Sequence, residues 1–340
     1  MKPLHPFKIF SEKLLLIIMI YLYGWNSWNG DRDAYENYYN SILLLDWGIE
    51  VGYACINFLA KTYELDYQEL QIIISIITLI MIFRYFSKTT KPSFTFFFLL
   101  SYFFLFFPLD YVLIRSTLAF SIILQGFLIL EQTTKYRELK YIIIILIAAS
   151  IHKSMILFLV FVFANSDRLY PPQRFFLLLL FFCLSGIFLL QIFAPPYKVQ
   201  QHLSVYKTSL NGGILNTLTH LFSTLGVFLL VFMKKNGKFF LRKESLKLKK
   251  DIFIINVNLF SLFFIPFYFY SEIFLRSLRY VIFFNIFYYA NSIFEKKYLP
   301  HLAFSFLLFL IFSIYLIFTF LLPVINLTVI PLFLENPLFK

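Results

Sequence analysis

The sequence predicts an all-α, polytopic integral membrane protein with about ten transmembrane helices and no separate soluble domain. Composition is the first reason: 60% of the 340 residues are hydrophobic and 14% are charged, and the mean hydropathy is +0.77. That leaves too little polar surface to solvate a globule. Recurrence is the second, because apolar runs near the roughly 20 residues that cross about 30 Å of hydrocarbon repeat along the chain between charges or prolines. The third is where the net charge of +12 lies. Its lysines and arginines fall in short runs between apolar segments, where they set orientation under the positive-inside rule rather than forming a nucleic-acid surface.

In chain order the spans are 12–29, 69–86, 93–108, 111–130, 141–164, 174–193, 213–233, 251–270, 275–293 and 301–322. The first follows Lys2, Lys8 and Lys13, ends near Trp25 and Trp28, and has no small-residue cleavage site. It reads as a retained signal anchor with the N-terminus inside. Residues 26–68 then form an extracytoplasmic loop, which suits their acidic balance. Within this loop 47–60 is too polar to span, and Ile49, Tyr53, Ile56 and Leu59 near helical spacing mark an interfacial amphipathic helix. The basic loops Arg84 to Lys91 and Lys135 to Lys140 fall inside.

A full span at 141–164 would put 234–250, with eight Lys or Arg against one acid, on the outside. Breaking it at Ile151-His152-Lys153-Ser154 gives two arms of about 11 residues, each reaching about 16 Å. The result is a re-entrant hairpin with His152 at its apex, set apart from the outer loop unless a cavity descends to it. A full span with snorkelling stems is the alternative. The hairpin makes 194–213 an extracytoplasmic loop and 234–250 a basic cytoplasmic one. Residues 1–340 form a single transmembrane domain, and with no internal repeat an inverted-repeat transporter gains no support.

Ionisable groups at membrane depth are costly enough to mark function. Arg115 stands about one turn inside the outer end of its span, where a guanidinium clamps a phosphate bidentately, snorkels, or pairs with Asp110. Arg276 and Arg279 share a helix face three residues apart and suit a pyrophosphate or an ion pair with Glu272. His152 sits in a long apolar run, either to carry a proton near neutral pH or as a buried, hydrogen-bonded core residue. In the outer loop, Asp31 and Asp33 accompany aromatic faces such as Tyr35. That mixture binds sugars through hydroxyl hydrogen bonds and ring stacking, or makes an ordinary acidic loop. HExxH, P-loop and GxSxG patterns are absent, which removes zinc-peptidase, ATPase and α/β-hydrolase readings. Cys55 and Cys183 lack CxxC spacing and indicate neither a metal site nor a disulfide.

Several motifs occur in one order: Gly30-Asp31 with Tyr35, Glu50-Val51-Gly52-Tyr53, Ile114-Arg115 with Leu118-Ala119, Ile151-His152-Lys153-Ser154, and Arg279-Tyr280. Spread over 26–290, the set resembles the bacterial exopolysaccharide polymerases of the EpsG-like group, related in role to Wzy-type O-antigen polymerases. It departs from their pattern at Ser116, where Gln commonly follows the arginine, and at Val51, where Pro is frequent. The resemblance implies a GT-C-like enzyme of the cytoplasmic membrane. Such an enzyme joins oligosaccharide repeat units carried on undecaprenyl pyrophosphate into a capsular, O-antigen or exopolysaccharide chain at the outer face. It implies Arg115, Arg276 and Arg279 at the pyrophosphate, Tyr35, Glu50 and Tyr280 at the sugars, and His152, Asp31 or Asp33 as general base. The implied partners are the lipid-linked oligosaccharide and the bilayer, with a chain-length regulator as a further candidate. No cofactor, metal or nucleic acid is called for. A flippase of the same lipid and a membrane acyltransferase are the competing classes. The flippase favours paired structural halves, and the acyltransferase favours cationic groups at the cytoplasmic face.

Overall fold

The computed structural model describes residues 6–44, 48, 50–132, 134–164, 169, 210–234, 246–269, 274–294 and 299–337. Every regular element among them is helical. The chain divides into two compact units, one of residues 1–129, 136–159 and 314–340, the other of 130–135 and 160–313.

The first unit opens with α1 (Pro6–Gly24), which packs along α4 (Tyr67–Thr89). The two come close at Gly24, where a Cβ would lie 2.9 Å from Ser75 Oγ. The expected span 12–29 stops at Gly24 because Asn26 and Asn29 turn their amides on the backbone instead of continuing the helix. Asn26 Nδ2 donates to Pro331 O at 2.9 Å, and Asn29 Oδ1 accepts from the Asp31 N–H at 3.1 Å. Ser27 N donates to Glu335 O at 2.9 Å, and Asn336 Nδ2 donates to Leu22 O at 3.1 Å. The loop after α1 is thereby stitched to the segment around α14 (Val329–Leu334).

Two short helices follow, α2 (Arg32–Ser41) and α3 (Val51–Thr62). The helix expected within 47–60 is present as α3, but its packed face is Tyr53, Ala54, Asn57 and Ala60. Leu59, one of the residues expected on the interfacial face, is exposed. α4 starts four residues after α3 behind a capping box: Asp66 Oδ1 accepts from Glu69 N at 2.7 Å and Glu69 Oε2 accepts from Asp66 N at 2.8 Å.

The expected span 93–108 breaks into α5 (Thr95–Leu105) and α6 (Phe107–Asp110). Pro108 removes a backbone donor and restrains the residue before it. α7 runs Ile114–Glu131 and α8 Arg137–Ile151. Helix α8 ends where the sequence reading breaks 141–164. His152 is extended, with φ −144° and ψ 107°, and a 3₁₀ segment continues from Lys153 to Phe163. Tyr141 OH donates to Phe158 O at 2.9 Å, so the 3₁₀ segment folds back beside α8 as a hairpin.

In the second unit α9 (Leu210–Lys234), α10 (Leu246–Ser261) and α12 (Leu275–Ile293) share a buried polar chain, with α11 (Ile265–Tyr268) between the last two. Tyr268 OH lies 2.9 Å from His220 Nδ1, and His220 Nε2 lies 2.8 Å from Ser261 Oγ. Asn258 and Asn285 exchange amide hydrogen bonds at 2.8 and 2.7 Å. Asn285 Nδ2 also donates to Ser223 Oγ at 2.7 Å. Side-chain hydrogen bonds of this kind join helices where apolar surface alone gives little specificity. At one end Lys234 and Asp251 form a buried ion pair at 3.0 Å, to which Tyr288 OH donates at 3.1 Å. The chain then enters α13 (Leu299–Leu316).

Among the described residues five helices, rather than about ten, are long and apolar enough to cross a membrane: 67–89, 114–131, 211–234, 249–268 and 299–324. Helix α1 carries Lys8, Glu12 and Lys13 in its 19 residues, α5 is 11 residues long, and the 141–164 stretch is broken. Helix α12 covers the expected 275–293, but two arginines and two asparagines lower its apolarity. The expected span 174–193, most of the loops 194–213 and 234–250, Glu272 and Cys183 lie outside the described residues. The architecture is all-α and polytopic.

Candidate functional site

In the first unit the backbone gathers three side chains far apart in sequence. Glu50 stands at the N-terminus of α3, Arg115 in the first turn of α7, and His152 at the end of α8. Glu50 Oε2 accepts from Arg115 Nη1 at 2.5 Å, and its Oε1 lies 3.1 Å from His152 Nδ1 and accepts from the Lys153 N–H at 3.1 Å. The last contact explains the break in α8: the Lys153 N–H leaves the helical ladder to meet the carboxylate. Close packing of α3 on α8 makes this reachable. It depends on Gly52, where a Cβ would meet the Ser150 hydroxyl and stand 3.0 Å from its carbonyl carbon.

The Glu50 carboxylate is largely buried, its side chain 16% exposed. Burial alone would raise its pKa. The His152 hydrogen bond, the Arg115 charge and the Lys153 N–H outweigh that and bring it down to about 2. Arg115 keeps 35% of its side chain exposed, enough to meet a ligand. Its Cζ lies 5.3 Å from the Tyr35 ring centroid and 5.6 Å from that of Tyr53, within cation–π range. Tyr38 stacks on Tyr53 at 5.7 Å and Tyr35 meets Tyr53 edge-on at 6.2 Å. Burial raises the Tyr38 pKa against the opposing pull of Arg115, so this phenol remains a hydrogen-bond donor at neutral pH.

Chemically the arrangement offers a partly exposed guanidinium, an imidazole oriented through Nδ1 by a carboxylate, and aromatic faces around them. Of the residues singled out in the sequence, the structure brings together Glu50, Arg115, His152 and Tyr35. Asp31 precedes α2 and Asp33 is exposed in its first turn, four and two residues before Tyr35. Asp110, an alternative partner for Arg115, accepts instead from Tyr102 OH at 2.9 Å. His152 meets Glu50 directly, so the separation expected between a hairpin apex and the outer loop is not found. Arg276, Arg279 and Tyr280 belong to the second unit, on α12, with Arg279 1% exposed and Tyr280 3%.

Sequence reasoning passed over Tyr38 and Tyr53 as site residues, although Tyr35 and Tyr38 share a helix face and Tyr53 follows Glu50 by three positions. It also passed over Arg32, read as a loop charge. Arg32 is buried, donates to Asn26 O at 2.7 Å and Gln71 Oε1 at 3.2 Å, and fastens α2 to α4. Among the described residues no group of three His, Cys, Asp or Glu forms a metal site. A family model described as the EpsG family matches residues 13–333, nearly the whole chain. Neither a curated protein nor a solved structure matches it.

Proposed function

The chain belongs to the EpsG family and is a multi-pass bacterial membrane protein, and from that premise we propose that it polymerises lipid-diphosphate-linked oligosaccharide repeat units by glycosyl transfer. The observation that carries this reading is the meeting of Glu50, Arg115 and His152. In the reaction an acceptor sugar hydroxyl attacks the anomeric carbon of the donor. The new C–O bond forms as the bond to the diphosphate oxygen breaks, and the electron pair leaves on the undecaprenyl diphosphate. Charge developing on that leaving group is the main barrier, and a fixed guanidinium is suited to lowering it. Arg115 takes this role, with the donor diphosphate replacing Glu50 on one of its N–H groups. The acceptor's proton passes to Nε2 of His152, whose Nδ1–H is donated to Glu50. Glu50 is therefore a positioning residue rather than a sugar ligand, and Tyr35, with Tyr38 and Tyr53, lines the sugar. Asp31 and Asp33 are the alternative bases. Arg276 and Arg279 are candidates for anion binding in their own right.

In this reading residues 26–68 face the outside, and α8 with the 3₁₀ segment re-enters the bilayer. About 22 Å of rise in the 15-residue α8 falls short of the roughly 30 Å hydrocarbon core. Supplying purified lipid-linked repeat units to the protein in liposomes tests the function. Longer saccharide ladders from wild type, lost in Arg115→Lys and His152→Gln at equal protein content, are expected. Movement of the lipid across the bilayer with no lengthening would replace the polymerase with a transporter.

A further inference from the structure

The side chains that meet at Glu50 bring together an anion, a cation and an imidazole. Glu50 is ionised at neutral pH, its pKa held at about 2, and it takes up the charge of Arg115 at 2.5 Å. His152 adds no charge while its Nδ1–H is donated to the same carboxylate. The trio is therefore close to neutral. A glycosyl diphosphate ester is a dianion, and a further negative charge develops on the departing oxygen as the bond to the anomeric carbon breaks with its electron pair on that oxygen. A neutral trio does not balance such a group, and fixed cations do.

We propose that Lys153 supplies the missing cation, binding the donor diphosphate beside Arg115, and that the two together select a diphosphate carrier over a monophosphate one. This rests on the reading of the site as one for a lipid diphosphate.

Backbone geometry puts Lys153 within reach. Its N–H donates to Glu50 Oε1 at 3.1 Å, while Arg115 Nη1 donates to Oε2 of the same carboxylate at 2.5 Å. The two atoms are thus separated by one carboxylate and its two hydrogen bonds, a span that the flexible four-carbon stem of lysine covers. Lys153 is exposed and Arg115 partly so, which leaves both cations open to a ligand.

The Lys153 side chain is also uncommitted. Among the described residues its ammonium makes no ion pair or hydrogen bond, and its contact with Glu50 is through the backbone alone. Within 141–164 it is the one lysine or arginine, with no Asp or Glu to pair it. A cation in an apolar run is costly unless it faces water or an anion. With 26–68 outside, Lys153 lies on the outer side beside Glu50, where the positive-inside rule gives no reason for a lysine. A cation just past the C-terminus of α8 also meets the end of the helix dipole. That role acts on stability and is read out separately.

The test is titration of the full protein in nanodiscs with inorganic pyrophosphate and inorganic phosphate. Wild type should prefer pyrophosphate. Lys153→Met should weaken pyrophosphate binding about tenfold and narrow the preference, and Lys153→Arg should restore most of both. Lys140→Met, at an exposed lysine in the first turn of α8, should change neither. No pyrophosphate bound by wild type at millimolar concentration, or equal binding by wild type and Lys153→Met, overturns the proposal. So does a Lys153→Met variant whose thermal midpoint falls while its pyrophosphate binding holds, which would leave only the helix-end role. A wild type with the lysine-dependent preference that never lengthens a chain removes the polymerase and leaves the diphosphate site.

Discussion

Glu50 and Arg115, 65 residues apart, meet at 2.5 Å, and the same carboxylate reaches His152 through its other oxygen. One side chain thus fixes the spacing between a cation and an imidazole. Arg115→Lys should lower polymerisation about 100-fold, because lysine keeps the charge but loses the planar fork that meets a diphosphate. Chain elongation at saturating lipid-linked substrate measures this. Activity within a few-fold of wild type would remove Arg115 from the reaction.

Acid should weaken the first unit through Glu50. Its ordinary pKa of 4.5 falls to about 2 in the folded protein. A carboxylate with a depressed folded pKa contributes stability above its unfolded value, and loses it as pH drops toward the folded one. Between pH 4.5 and about 2 the protein should lose roughly 3 kcal/mol from this group. Unfolding midpoints across that window should fall steeply for wild type and more gently for Glu50→Gln.

Gly52→Ala should separate α3 from α8. The added Cβ stands 3.0 Å from the Ser150 carbonyl carbon, and overpacking of this kind costs about 1–3 kcal/mol. Activity should drop with it, since Glu50 and His152 ride on those two helices. Removing the Ser150 side chain with Ser150→Gly should recover part of the loss, and a double-mutant cycle reads the coupling.

In the second unit, Asn258→Leu should leave the Asn285 amide short of its buried partner and cost about 1–3 kcal/mol. Replacing both asparagines with leucine should cost less than the sum of the single changes. Unfolding in detergent distinguishes this from independent sites, which would add.

The sequence made the helical, membrane-embedded class legible because apolar composition and span length act over whole segments. The break at His152 was also legible, since an uninterrupted span there would put the basic loop 234–250 on the outside. Span number was not. Hydropathy reads 93–108 as one segment, although Pro108 divides it, and reads through the loop after Gly24, where asparagine amides take over the backbone. At the site, Arg115 and His152 stood out as ionisable groups in apolar runs. Their link through Glu50 was hidden, because a carboxylate in an acidic loop looks like any other until tertiary packing brings it across. His220 is spaced too far from His202 in sequence to suggest a metal pair, and its hydrogen-bonding role was hidden for a related reason: its partners Ser261 and Tyr268 lie on other elements.

The stitching of Asn26 to Pro331 and Ser27 to Glu335 has a consequence in time. The loop it secures leads into α2, which carries Tyr35, yet its fasteners are translated some 300 residues later. While a ribosome is still extending the chain, α1 and α4 can already lie in the bilayer, but the bracket that settles this loop does not exist. The first unit therefore stays incomplete as it is made, and the loop that leads to Tyr35 is not fastened before residues 328–336 have emerged and docked.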